Sequence, residues 1–210
     1  SLGSGQDAFV TTWYDQAGSN DATQATANNQ PKIVSSGALV TENGKVALEF
    51  NGSSQFLNSA TLSISSANVF TSLVSKADNA SGNQLIIQGQ NDYVGFQQYN
   101  NFTYVRAGGA NGRYASTDIT QRLLTSIFDG SLTGNSERLK GYVDSVQQSL
   151  TFTGTVPSSV SGTGLDIGRA FGTGVNFKGT IQEVIIYNSD KSALRTDIEG
   201  NINGRFNIYA

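Results

Sequence analysis

The feature that most constrains this chain is the alternation in its last third. Residues Gly141-Tyr142-Val143-Asp144, Leu165-Asp166-Ile167-Gly168 and Phe177-Lys178-Gly179-Thr180-Ile181-Gln182-Glu183-Val184-Ile185-Ile186-Tyr187 set apolar against polar or small residues. Glycine and short polar clusters separate the runs. A period of two sends successive side chains to opposite faces of an extended chain, which predicts half-buried antiparallel strands rather than helices.

The same reading runs forward along the chain. Residues 9–15 are β-branched and aromatic and predict a strand, followed by the polar loop 16–20. Residues 46–50 end at the turn Asn51-Gly52, with Val46, Leu48 and Phe50 sharing one face and Glu49 on the other. Further strands are predicted at 69–75, 84–88, 93–98, 102–106, 112–116, 123–129, 140–144 and 149–152, at the spacing of a sandwich. Helical periodicity emerges only after residue 189. There Leu194, Ile198 and Ile202 recur behind Ser189-Asp190 as cap, predicting one short helix ended by Gly204, with 206–209 as a last strand.

A chain of 210 residues that is 37% hydrophobic and 14% charged can bury one substantial core. We therefore expect a single domain over 9–210, preceded at 1–8 by a linker or truncated upstream segment. The chain begins in a Gly/Ser-rich stretch without methionine, and it reads as a piece of a longer polypeptide whose export signal would lie upstream. With a net charge of −3 and basic residues scattered along the chain, nothing supplies the positive field that a phosphate backbone requires. Nucleic acid is not expected as a partner. No apolar run reaches the roughly 20 residues that span a bilayer, so membrane insertion is not expected either.

The sequence has no Cys and no His. Disulfides, thiolate metal sites, imidazole-based metal sites and Ser-His-Asp or Cys-His catalysis are thereby excluded within it. Only oxygen ligands remain, which suit a hard cation such as calcium. Asp78-Asn79, Asn91-Asp92, Asp129 and Asp166 stand near predicted strand ends, where they read first as turn residues.

The closing strands, the segment Trp13-Tyr14-Asp15-Gln16-Ala17-Gly18-Ser19-Asn20-Asp21-Ala22-Thr23-Gln24-Ala25 and the stretch Val46-Ala47-Leu48-Glu49-Phe50-Asn51-Gly52 resemble a laminin G-like domain of the concanavalin A-like lectin/glucanase superfamily. The first of the two segments is also similar to fungal arabinofuranosidase catalytic domains and to phage and bacterial surface proteins. The resemblance implies an all-β, two-sheet antiparallel jelly-roll sandwich with one short C-terminal helix. It further implies an extracellular or virion-surface location, a glycan or cell-surface polysaccharide as partner, and other subunits of a virion or surface assembly beside it. Calcium is the one cofactor it brings in.

Glycoside hydrolysis normally needs two carboxyl groups across the scissile bond. Of the five Glu, Glu42 sits beside a turn, Glu49 faces away from its apolar neighbours, Glu137 lies in a polar loop and Glu199 is expected on the exposed side of the helix. Glu183 lies where laminin G-like domains carry an architectural acid and reads as structural. Where arabinofuranosidases place a nucleophilic Glu before two Asn, this chain has Tyr99-Asn100-Asn101. Where they place an Asp after an Ile-Gly strand end, it has Arg169 after Ile167-Gly168. We expect no catalysis.

Binding is expected instead over 92–114, where aromatic residues are interleaved with amides and guanidinium groups. Aromatic faces pack on the C–H surfaces of sugars while amides and guanidinium groups bond to hydroxyls. The candidate ligand-binding residues are Asp92, Tyr93, Tyr99, Asn101, Tyr104, Arg106, Arg113, Tyr114 and Arg169, with Tyr99 and Tyr114 foremost. Alternation also allows core packing for aromatics of this segment. Trp13 reads as a core residue and Asp15 as the tie of the loop that follows it.

Overall fold

A computed structural model of the chain describes residues 5–210. Two large antiparallel sheets face each other. The first runs, edge to edge, Ala8–Phe9, Lys32–Ser35, Leu48–Asn51, Lys178–Tyr187, Asn68–Ala77, Arg122–Asp129, Leu139–Val143 and Val146–Gln147, with Ala38–Leu39 beside Lys32–Ser35. The second runs Thr151–Thr153, Ala110–Ala115, Phe102–Ala107, Gly95–Tyr99, Gln84–Gly89, Val160–Ile167, Leu57–Ser66, Ala22–Thr23 and Thr12–Trp13. Neighbours in each sheet are often far apart in sequence, so the chain crosses repeatedly between sheets. This is the predicted all-β sandwich.

Inward side chains fill the space between the sheets, as alternation requires. Val69, Leu73, Leu124 and Phe128 come from the first sheet, and Phe96, Val105, Leu165 and Ile167 from the second. Trp13 packs against this core from its margin. Asp15 ties its loop by accepting from the N–H groups of Ala17 at 2.9 Å and Asn20 at 3.1 Å. These backbone donors hold its carboxyl below the usual Asp range.

Several expectations need correction. The longest strand of the second sheet's far half, Leu57–Ser66, reads as a polar stretch in sequence, because Ser, Thr and Asn fill most of its positions. Its partner Val160–Ile167 organises it. Val46 does not share a face with Leu48 and Phe50: it lies in the small hairpin Thr41–Glu42 with Lys45–Val46, and it is 45% exposed. Tyr93 and Val94 precede the strand Gly95–Tyr99 instead of opening it.

The helix runs over Arg195–Phe206, so Gly204 lies inside it. Asn207, in the left-handed region at φ 51°, ends it and donates to the Asn203 carbonyl at 2.7 Å. The predicted last strand is absent from the described residues, because Asn203 Oδ1 accepts from both Ile208 and Tyr209 and folds the tail back. Ile202 and Phe206, with Ile198, cover Val74, Leu123, Phe70 and Ile127 on the outer face of the first sheet. Leu194, by contrast, is half exposed. Glu199 is not on the solvent side. It is fully buried, with Oε2 accepting from Ser145 Oγ at 2.6 Å and paired with Arg195.

Of the segment 1–8, residues 1–4 lie outside the described residues. Beyond them, the Gln6 carbonyl accepts from Gly37 N at 2.7 Å and Asp7 pairs with Lys32 at 2.8 Å.

Candidate functional site: the outer face of the second sheet

The helix lies on the first sheet, so the outer face of the second is left to side chains and the loop 169–177. The strand register arranges these side chains in transverse rows. One row reads Thr153, Asn111, Arg106, Gly95, Gln88, Asp166 and Asn58 across the strands. Two residues further along, Arg113, Tyr104 and Gln97 stand abreast. Two further, Phe102 and Tyr99 face each other. Glycine at 95 leaves room for the stem of Arg106 to lie over it.

Each row has its own chemistry. In the first, Arg106 Nη1 lies 3.3 Å from Asp92 and its Nη2 bonds to Gln97, while Gln88 Nε2 donates to Asp92. Gln88 Oε1 accepts from Phe171 N at 2.8 Å, which ties the row to the loop. Asp166, fully buried, accepts from Asn58 Nδ2 at 2.6 Å, Arg169 Nε at 2.7 Å and Gly172 N at 3.2 Å. The Arg169 guanidinium stacks on Phe56 with its carbon 3.3 Å from the ring centre.

The other two rows form an aromatic patch. Phe102 and Tyr104 meet edge to face at 6.5 Å, and Tyr99 and Tyr104 lie 6.5 Å apart. Arg113 lies over Phe102 and donates to Tyr104 Oη at 3.2 Å. Tyr99 is 45% exposed. The patch thus presents rings, a planar cation and amides together.

The structure brings Asp92, Tyr99, Tyr104, Arg106, Arg113 and Arg169 to this one face. Asn101 sits at its end, in the turn after Tyr99, at φ 64° with its N–H on the Ala80 carbonyl. Two candidates do not belong to the face. Tyr93 is 1% exposed within the core, and its hydroxyl donates to the Gly164 carbonyl at 2.9 Å. Burial, with the Asp166 charge adding to it, pushes its phenol well above the usual range. Tyr114 pairs with Thr103 on the inward side, since it is one residue out of step with Arg113. Burial pushes it up to about 12, the Asp144 charge adding to this and a hydrogen bond with Thr103 opposing it.

Sequence reasoning missed Gln88, Gln97, Asn58 and Phe56. Amides in alternating strands carry little distinctive pattern, and only cross-strand register collects them.

Several carboxylates pair with or stand opposite a cation. Glu42 pairs with Lys76 at 3.0 Å, Glu137 with Lys140 at 3.3 Å, and Glu49 stands opposite Lys32 in register. Glu183 lies on the outer face of the first sheet, 3.8 Å from Arg205, in a shallow groove shared with Asp197. Burial raises its carboxyl above the usual range while Arg205 opposes the rise. At the four positions weighed for calcium, Asp92 and Asp166 already face cations and amide donors, Asp129 accepts from Ser131, and Asp78 lies 4.0 Å from Lys178. No three acidic side chains gather among the described residues.

No family model matches the chain, and no curated protein sequence matches it. Among solved structures, it is similar to Trypanosoma rangeli sialidase in complex with sialic acid, at TM-score 0.60 and 16% identity, covering 95% of this chain and 32% of that one. The botulinum neurotoxin serotype G binding domain matches at TM-score 0.53 and 12% identity, over 91% of this chain and 50% of that one. Domain 4 of AbnA, a GH43 extracellular arabinanase of Geobacillus stearothermophilus in complex with arabinotriose, matches at TM-score 0.51 and 17% identity, over 71% and 74%. The chain shares their β-sandwich fold. It spans about a third of the sialidase's length. Among the described residues no helix is long and apolar enough to cross a membrane.

Proposed function

We propose that the chain is a laminin G-like, non-catalytic carbohydrate-recognition and adhesion module of a larger surface or virion protein, working outside the cell. The observation that carries this reading is the three-row outer face, where the rings of Tyr99, Phe102 and Tyr104 adjoin Arg113, Gln97 and the Arg106–Asp92 pair. Such a face suits a glycan laid across the strands: rings pack on its C–H surfaces and the amides and guanidinium groups reach its hydroxyls. The neighbours' ligands support the chemistry, since one sandwich was solved with arabinotriose and another protein with sialic acid.

A broad glycan array tests it. Expected are hits that weaken at least tenfold in Tyr99→Ala and Tyr104→Ala and are unchanged by EDTA. A silent array together with oligomers in solution scattering would favour a structural spacer or decoration domain. Turnover of aryl arabinofuranosides that disappears in Glu183→Gln or Asp166→Asn would favour a glycosidase.

A further inference from the structure

The inward face of the same strands holds a second feature. In a sandwich the positions facing the opposite sheet are filled by apolar side chains. At one end of this one, inward positions carry Ser75 from the first sheet and Gln98, Thr103 and Tyr114 from the second. They line a hollow of about 430 Å³, opening beneath the crossing loop 116–121, within the range of small-molecule sites.

Gln98 is 6% exposed, and its Nε2 lies 3.4 Å from the Asp118 carbonyl. Its Oε1 is buried and meets no donor among the described residues. A buried amide oxygen without a donor is costly, so a group that supplies one is favoured there. At the rim, Arg122 is held between Asp118 and Asp144, the latter at 2.5 Å. One guanidinium against two carboxylates leaves a formal charge of −1, which disfavours an anion. The Tyr114 phenol, pushed up to about 12 by burial, stays neutral and offers both a hydroxyl and a ring face.

We infer that this hollow between the sheets is a second binding site, for a single neutral sugar residue that stacks beside Tyr114 and, as the Gln98 amide turns toward the hollow, donates a hydroxyl to its Oε1. It is separate from the outer face: Gln98 and Tyr99 are consecutive and point to opposite sides of one strand. Either site can exist without the other.

The test is a titration of the protein with methyl glycosides of the common hexoses and of arabinose, alongside glycerol and an alkylammonium salt, followed by NMR. A binding glycoside is expected to shift the Gln98 side-chain amide and the Tyr114 ring signals saturably. Its affinity should fall about tenfold in Gln98→Leu, roughly the loss of one hydrogen bond to a buried acceptor. It should be unchanged in Tyr99→Ala. Reducing-end labelled oligosaccharides then distinguish a chain end from a free monosaccharide. Because the wild-type signals report directly, a poorly folded variant does not decide the matter. The inference is overturned if no glycoside moves those signals, if only the ammonium salt does, or if Gln98→Leu binds as tightly as wild type. Loss of array binding in Tyr99→Ala bears on the outer face alone.

Discussion

The guanidinium carbon of Arg113 lies 4.5 Å from the centre of the Phe102 ring, and from this stack the cation reaches Tyr104. Arg is suited to this place because its plane can cover a ring while its edge still donates. Arg113→Lys keeps the charge and loses the plane. It is expected to weaken glycan binding about tenfold while changing stability by less than about 1 kcal/mol, the usual size of an exposed contact. Calorimetric titration beside denaturant unfolding separates the two effects, and equal affinity in the variant would remove Arg113 from the site.

Asp166 collects donors from Asn58, Arg169 and the backbone of Gly172 at a fully buried point. Asp166→Ala strands the Arg169 charge next to Phe56. Removing one partner of a buried ion pair typically costs about 3–5 kcal/mol. Urea unfolding should register a loss of that size, and amide exchange should rise across 169–177 as the loop comes free.

Gly168 sits at φ 87°, and a side chain there would enter the Phe50 ring. Gly168→Ala is therefore expected to unfold the domain or lower its melting temperature steeply. Gly174 has open space around its Cα, and Gly174→Ala should melt within a few degrees of wild type. Similar melting of the two variants would contradict the close approach of the Phe50 ring to Gly168.

Tyr114 supplies the pH dependence. Its folded pKa of about 12 stands above the ordinary value of 10.0, so the unfolded chain loses this proton first. The contribution is whole below pH 10 and is lost as pH rises through 12, by about 1.4 kcal/mol per unit in that window. In Tyr114→Phe the decline over that window should be shallower by this amount. Parallel curves for the two proteins would place Tyr114 in water.

Much of the fold was legible because strand periodicity is local. Phe102 to Arg106 and Leu123 to Asp129 announce themselves by alternation, and both strands formed where expected. Leu57–Ser66 was silent, since its polar residues become a strand only when Val160–Ile167 lies beside them. For the site, residue type drew attention to the right segment but could not choose a side. Tyr104 and Tyr114 are chemically alike, yet the first faces outward beside Arg113 and the second faces inward beside Thr103.

Composition and periodicity alone determined a run of short antiparallel strands without thiol or imidazole chemistry, because these follow from which atoms the chain possesses and from the period of two. Which faces are covered was decided by tertiary structure alone. Helix Arg195–Phe206 settles on the first sheet and hides Glu199, and the register of distant strands lines up Gln97, Tyr104 and Arg113. Both outcomes depend on contacts between residues far apart in sequence, whose pairing no local pattern encodes.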